Sequence, residues 1–265
     1  MRLLPEQVLR IPTLIDMKDA GSASGFMAKN KGTVFFVTAK HVIFNRDNLV
    51  SKMADLFVYS NVAGFAERGV LRLNLEMLND RGCIKQHSRD DIVVVKIGRG
   101  IPIGAGIADI SFDIESGVIP TENPSNGAII LADTETDFKK YDEIAISEEI
   151  FIFGYPASIG MKDFPQIDYT KPLLRRGTVA GKNENLKTII LDCPVYFGNS
   201  GGPVLVVEEL KGKRKHYIIG IVSQFIPFEE NWFSLQYRIT NKNIENSGYS
   251  VAAPIDSMLE LFGAF

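Results

Sequence analysis

Gly198-Asn199-Ser200-Gly201-Gly202-Pro203 is the stretch that decides how the rest of the chain is read. It stands between two apolar runs, residues 188–195 and 204–207, and so reads as a tight turn joining two strands. A turn needs one glycine at most, and this one sets three around a single serine. Glycine accepts positive φ and lets another group approach where a Cβ would block it. A nucleophilic serine needs both a sharply turned backbone and free N–H groups facing a developing oxyanion. The plainer alternative is a glycine-rich hairpin whose serine only caps the turn.

Working outward, the next features are a strand-like run, Thr33-Val34-Phe35-Phe36-Val37-Thr38, and the Ala39-Lys40-His41-Val42 that follows it. Further on, Asp90-Asp91 precedes the uninterrupted apolar run Ile92-Val93-Val94-Val95. Taken singly, a histidine at a strand end and an acid pair at a strand start are both common in ordinary cores and surfaces. Together, His41, Asp91 and Ser200 fall in the order His, Asp, Ser, one of the chain orders of a nucleophilic triad.

At 265 residues, with 45% hydrophobic and 23% charged residues, the chain has an ordinary globular composition and can bury a sizeable core. A net charge of −3 gives no broad pull toward nucleic acid or an anionic membrane, so neither is expected as a partner. The basic run Lys211-Gly212-Lys213-Arg214-Lys215-His216 lacks interleaved aromatics and reads as a solvated hairpin tip. Pro5 and Glu6 interrupt the N-terminus too early for a secretory segment, and no run is long enough to span a bilayer. The expected location is the cytoplasm. Cys83 and Cys193 have no metal-ligand spacing and are expected as free thiols; no metal or cofactor is expected.

Short strand signals recur: 8–15, 33–38, 55–59, 69–75, 92–97, 150–153, 177–180, 188–191, 204–207, 217–222, 235–239 and 249–253. Residues 21–26 read as a small-residue turn and residues 29–32 as a hairpin tip. Residues 79–89 read as a charged loop. Residues 98–147, broken by Gly104-Ala105-Gly106 and by Pro102, Pro120 and Pro124, read as a connection. Within it, residues 128–131 suggest a strand and 136–143 a short polar helix. Residues 256–262 read as a closing helix capped near Asp256 or Ser257. The pattern is all-β, with a break suggesting two units.

The flanks of the three candidate residues carry a resemblance. Thr38-Ala39-Lys40-His41, Asp91-Ile92-Val93-Val94-Val95-Lys96, the Gly198 to Pro203 loop and Gly220-Ile221-Val222-Ser223 resemble the motifs of chymotrypsin-fold serine proteases. Asn199 before the serine, Ser24-Gly25-Phe26, Gly154-Tyr155-Pro156 and Ala253-Pro254 are similar to the bacterial HtrA-like (DegP-like) branch. The resemblance implies two packed six-stranded Greek-key β-barrels and a short C-terminal helix. It implies an N-terminal barrel over residues 1–110, a linker or insertion over 111–147, and a C-terminal barrel with the helix over 148–265. No PDZ domain is expected after it.

The implied function is a serine endopeptidase acting on polypeptide through an acyl-enzyme. His41 is then the base, Asp91 its orienting acid and Ser200 the nucleophile. Gly198, Asn199 and Ser200 form the oxyanion loop, and Ser223 lies close to the aspartate. The implied specificity pocket comprises Pro194, Val195, Ser223, Gln224 and Phe225. Pro194, six residues before Ser200, supplies no carboxylate for a cationic substrate side chain, and small or apolar residues are expected there. Lys40 stands where the family commonly has alanine or glycine. Asn199, in place of an aspartate, speaks against activation by a freshly cut N-terminus. The rival reading is a latent or inactive protease-fold module that binds a protein partner. Oligomeric state and any regulatory partner are left open.

Overall fold

The computed structural model describes residues 11–58, 69–102, 110–120, 131–156, 165–167, 171–210 and 213–265. The expectations on residues 1–10, on Gly104-Ala105-Gly106, on Pro124, on residues 128–130 and on Lys211-Gly212 lie outside them.

The first unit is built from β1 (Pro12–Met17), β2 (Gly21–Asn30) and β3 (Thr33–Thr38), which pair antiparallel in that order. The sequence reads residues 21–26 as a turn, and the structure corrects this: they are the first half of β2. Small residues stand there because neighbours come close, not because the chain bends. A Cβ on Gly25 would lie 2.4 Å from the Phe36 ring and 2.5 Å from Val37 O. The turn falls instead at residues 31–32, where Lys31 and Gly32 both have positive φ.

After β3 come a single helical turn, α1 (Lys40–Ile43), and a small hairpin, β4 (Phe44–Asn45) with β5 (Asn48–Leu49). Next are β6 (Met53–Val58), β7 (Gly69–Asn74), α2 (Leu75–Asp80), β8 (Ile84–Gln86) and β9 (Val93–Pro102). The charged loop expected over 79–89 is thus largely ordered. Asn74 caps α2 by accepting from Met77 N, while Leu75 and Leu78 are buried beneath it. Then follow β10 (Ile110–Ile114), β11 (Val118–Pro120) and β12 (Ala132–Asp133), which pair with β9, β7 and β2 respectively. The main path runs β10-β9-β3-β2-β1-β6-β7-β11. Of the expected polar helix over 136–143, only a 3-10 turn at Tyr141–Glu143 forms.

The second unit is a closed barrel of β13 (Glu149–Gly154), β14 (Leu173–Asn183), β15 (Thr188–Asp192), β18 (Ile239–Pro254), β17 (Lys213–Ser234) and β16 (Pro203–Leu210) in that order. Beyond the barrel, β17 and β18 continue as a long hairpin. The strand expected over 235–239 is its tip, a turn across residues 235–238 with Arg238 at φ 50°. The chain ends in α3 (Ile255–Phe262), whose N-cap is Pro254 and not Asp256 or Ser257. Those two side chains are engaged elsewhere: Asp256 accepts from Tyr141 N, and Ser257 bonds Asp90.

Two cores result. One gathers Phe26, Phe35, Phe36, Ile15 and Leu56 under the first sheet, and α3 joins it through Met258, Leu261 and Phe262. Phe262 stacks on Phe35 with ring centroids 4.4 Å apart. The other gathers Ile150, Ile152, Val179, Leu191 and Ile219 inside the second barrel. Burying each such side chain stabilises by about 1.5–3 kcal/mol. Because α3 follows the second barrel yet packs in the first core, it ties the units together. Together these curled sheets form the trypsin-like double β-barrel fold. Cys83 lies in the first core and Cys193 in the second, both as buried thiols. No helix among the described residues is long and apolar enough to cross a membrane.

Candidate active site

The loop between β15 and β16 carries Ser200, and its conformation depends on glycine at two places. Gly198 and Gly201 have φ of 92° and 79°, which β-carbon-bearing residues rarely adopt. Gly201 also has no room for a side chain. An added Cβ would meet Thr38 Oγ1 at 2.1 Å, Ser24 O at 2.3 Å and Ala39 N at 2.7 Å. The Ser200 loop is therefore pressed onto the end of β3, three residues before His41.

Ser24 on β2 organises this junction. Its N–H donates to Ser200 O at 3.0 Å, and its hydroxyl donates to Gly198 O at 2.6 Å. The same hydroxyl accepts from Tyr155 N at 2.8 Å, and Ser24 O accepts from Thr38 Oγ1 at 2.7 Å. Sequence reasoning assigned Ser24 no role beyond the opening motif. Its signal was a small polar residue inside a run of alternating small residues, easily taken for a turn.

Around Ser200 the loop carbonyls are engaged, while the described hydrogen bonds include none from the N–H of Gly198 or of Ser200. The Asn199 N–H is occupied by Tyr196 O at 3.0 Å. The Asn199 side chain is buried; its Oδ1 accepts from Tyr196 N at 3.2 Å, and its Nδ2 has no partner among the described residues.

His41 sits on α1 and Asp91 two residues before β9, which β3 pairs alongside. His41 Nδ1 lies 2.7 Å from Asp91 Oδ2, and the His41 backbone N–H donates to Asp91 Oδ1 at 3.0 Å. Ser223 on β17 donates its hydroxyl to Asp91 Oδ2 at 2.7 Å. Burial pushes the Asp91 carboxyl up, but the bonds from His41 and Ser223 outweigh it and hold the group below the usual carboxylate range. Nε2 of His41 is left free of the aspartate.

Asp90 is set apart from this cluster. It is buried and bound by Arg89 through both oxygens and by Ser257 of α3. Burial raises its pKa, and the bonds from Arg89 and Ser257 more than reverse the effect. Its N–H donates to His87 Nδ1 at 2.9 Å, so His87 carries its proton on Nε2, 3.1 Å from Glu260 Oε2. Lys40 donates to His87 O at 3.0 Å, which accounts for its place beside His41. The adjacent acids thus do different things: Asp90 fastens α3 to the strand's approach, and Asp91 faces the histidine.

The residues expected at the specificity pocket differ in exposure. Val195 is buried, and its carbonyl accepts from Asn246 Nδ2 at 2.7 Å. Pro194 is partly buried and Gln224 exposed. Phe225 is partly buried against the second core and meets Phe197 edge-on, with centroids 6.3 Å apart. Phe197, directly before Gly198 and 74% exposed, went unnoticed in the sequence. Glu229 is paired with Lys242 at 2.8 Å, and Asp192 is exposed on β15. The Arg175 guanidinium stands 4.6 Å from the Tyr196 ring centroid. No three metal-ligating side chains cluster among the described residues.

Among solved structures, the human heparin binding protein superposes with a TM-score of 0.54 at 9% identity, covering 100% of this chain and 94% of that one. The HtrA-type protease AlgW with tripeptide gives 0.48 at 14%, covering 99% of this chain, which spans 63% of AlgW. Deg5 gives 0.48 at 16%, with coverages of 96% and 88%. No curated protein matches the chain in sequence. The family profile described as trypsin-like peptidase domain matches residues 23–209, well over half of the chain. This protein therefore belongs to the trypsin-like peptidases, a family of serine peptidase hydrolases.

Proposed function

We propose that the chain is a serine endopeptidase that cleaves polypeptide through an acyl-enzyme on Ser200. His41 Nε2 takes the Ser200 proton as the hydroxyl attacks the scissile carbonyl, then returns it to the leaving amine. Asp91 fixes the tautomer with the proton on Nδ1 and stabilises the imidazolium. The N–H groups of Gly198 and Ser200 receive the oxyanion; in a protease each such donor is worth about 3 kcal/mol. Asn199 contributes its side chain to holding that loop, since its own N–H is taken by Tyr196 O. The observation that carries this reading is the three-point hold on Asp91 by His41 Nδ1, His41 N and Ser223 Oγ. A binding module without turnover has no use for an imidazole held in this way.

The reading extends to specificity. Pro194 offers no charge, the Phe225 and Phe197 rings narrow the approach, and Arg175 adds a cation over Tyr196, next to Phe197 in the chain. Burying a substrate ammonium or guanidinium against these groups without a partner is costly, whereas a small aliphatic side chain gains about 1.5–3 kcal/mol on burial. Cleavage is expected after alanine, valine or leucine, and Phe225→Gly should admit larger residues. Profiling the cut sites in a denatured protein mixture tests this. Dominant cleavage after lysine or arginine would overturn the pocket assignment.

A further inference from the structure

The hairpin of β17 and β18 projects well past the barrel. β17 pairs with β16 only as far as Ile221, and β18 with β15 only from Tyr249 onward. From Gln224 to Ser234, β17 pairs with β18, and no other strand among the described residues pairs along its opposite edge. At Val222 that same edge is held by the nucleophile loop: Gly201 N donates to Val222 O at 2.7 Å, and Val222 N to Gly202 O at 2.9 Å. The open edge therefore begins where the Ser200 loop ends.

Its side chains are unusual for an edge. Phe228, Trp232, Phe233, Leu235, Tyr237 and Ile244 are each more than half exposed. Phe228 and Trp232 share one face by alternation. Phe233 lies on the other, as does Ile244, which stands opposite Glu229. Open edges are commonly blunted with charge or proline; here Pro227 stands at the base beside a bulge, and the charges along the edge are Glu229, paired with Lys242 of β18, and Glu230.

We propose that the β17 edge is an extended docking site for an apolar segment of the polypeptide substrate, added as a further strand and led along the ribbon to Ser200. This deepens the endopeptidase reading and rests on it. An added strand places side chains on both faces of the ribbon, where they meet apolar neighbours on both. A lipid surface would leave the edge amides and carbonyls without partners, and a flat protein face would use one side only. At about 3.3 Å per residue, the edge from Ile226 to Ser234 adds roughly 30 Å to the reach of the site.

The test uses the full chain. Binding of a fluorescent apolar peptide of about 15 residues to Ser200→Ala should weaken about tenfold when Phe228, Trp232 and Phe233 are all changed to serine. In the Ser200-containing chain, the triple change should leave kcat/KM for a substrate of about four residues within about twofold and lower that for the long substrate about tenfold. N-methylation of alternate peptide amides should weaken binding to the unaltered ribbon. Equal binding of the long peptide to both ribbons, or indifference to N-methylation, would overturn the proposal. So would self-association or vesicle binding that the triple change abolishes while peptide binding persists. If Ser200 proves inert toward phosphonates, the peptidase reading fails, while the binding measurement still judges the ribbon.

Discussion

Changing Asp91 to asparagine is expected to lower kcat about ten-thousandfold, as loss of the orienting acid does in a serine protease triad, with little change in thermal stability. The reason lies in the proton inventory. An amide facing His41 Nδ1 can present its N–H₂, which moves the ring proton to Nε2 and removes the base. Because the backbone bond from His41 N and the hydroxyl of Ser223 also converge on this carboxylate, the side chain should stay in place after substitution. Measured kcat, with circular dichroism as the structural control, decides the matter. A drop of less than about tenfold would remove Asp91 from the orienting role.

Gly201→Ala is expected to be the most damaging single-carbon addition among the described glycines. Positive φ alone carries a strain of about 1 kcal/mol for alanine. Here the new Cβ would also overlap Ser24 O and Ala39 N, backbone atoms that cannot rotate away. Relief requires moving the Ser200 loop off β3, so the expected cost is about 2–4 kcal/mol in stability. Misplacement of Ser200 relative to His41 should cost at least about a hundredfold in kcat/KM. Gly248→Ala is the matched control, since Gly248 has φ 88° and nothing lies within 4 Å of its added Cβ. Denaturant melts of the two variants separate overlap from strain. Equal losses would show that crowding at Gly201 contributes nothing.

Much of this arrangement was legible in the chain because strands and turns carry local signals. Residues 33–38 are β-branched and aromatic at almost every position, and they form β3 over the same span. His41 and Asp91 are separable from ordinary core and surface residues only by their flanks, and the motif that starts at Asp91-Ile92 favours Asp91 over Asp90. The structure gives that preference a physical content: Asp91 faces His41, whereas Asp90 is tied to Arg89 and Ser257. What failed were features set by distant contacts. Ser24 and Gly25 are small because Gly198, Ser200 and Phe36 approach them, and no local pattern distinguishes that from a turn. Trp232, Phe233, Leu235 and Ile239 have the apolar content of a buried strand, yet they stand on an exposed ribbon and its tip. Exposure is a property of the assembled fold, and composition alone does not carry it.

If His41 activates Ser200 as the nucleophile, the Ser200 hydroxyl reacts covalently with a phosphonate. The most direct measurement is mass spectrometry of the whole chain after treatment with a fluorophosphonate. One adduct per chain is expected, located on the peptide containing Ser200, absent in Ser200→Ala and strongly slowed in Asp91→Asn. An unmodified Ser200 in folded protein, or an adduct that persists in Ser200→Ala, would contradict that activation.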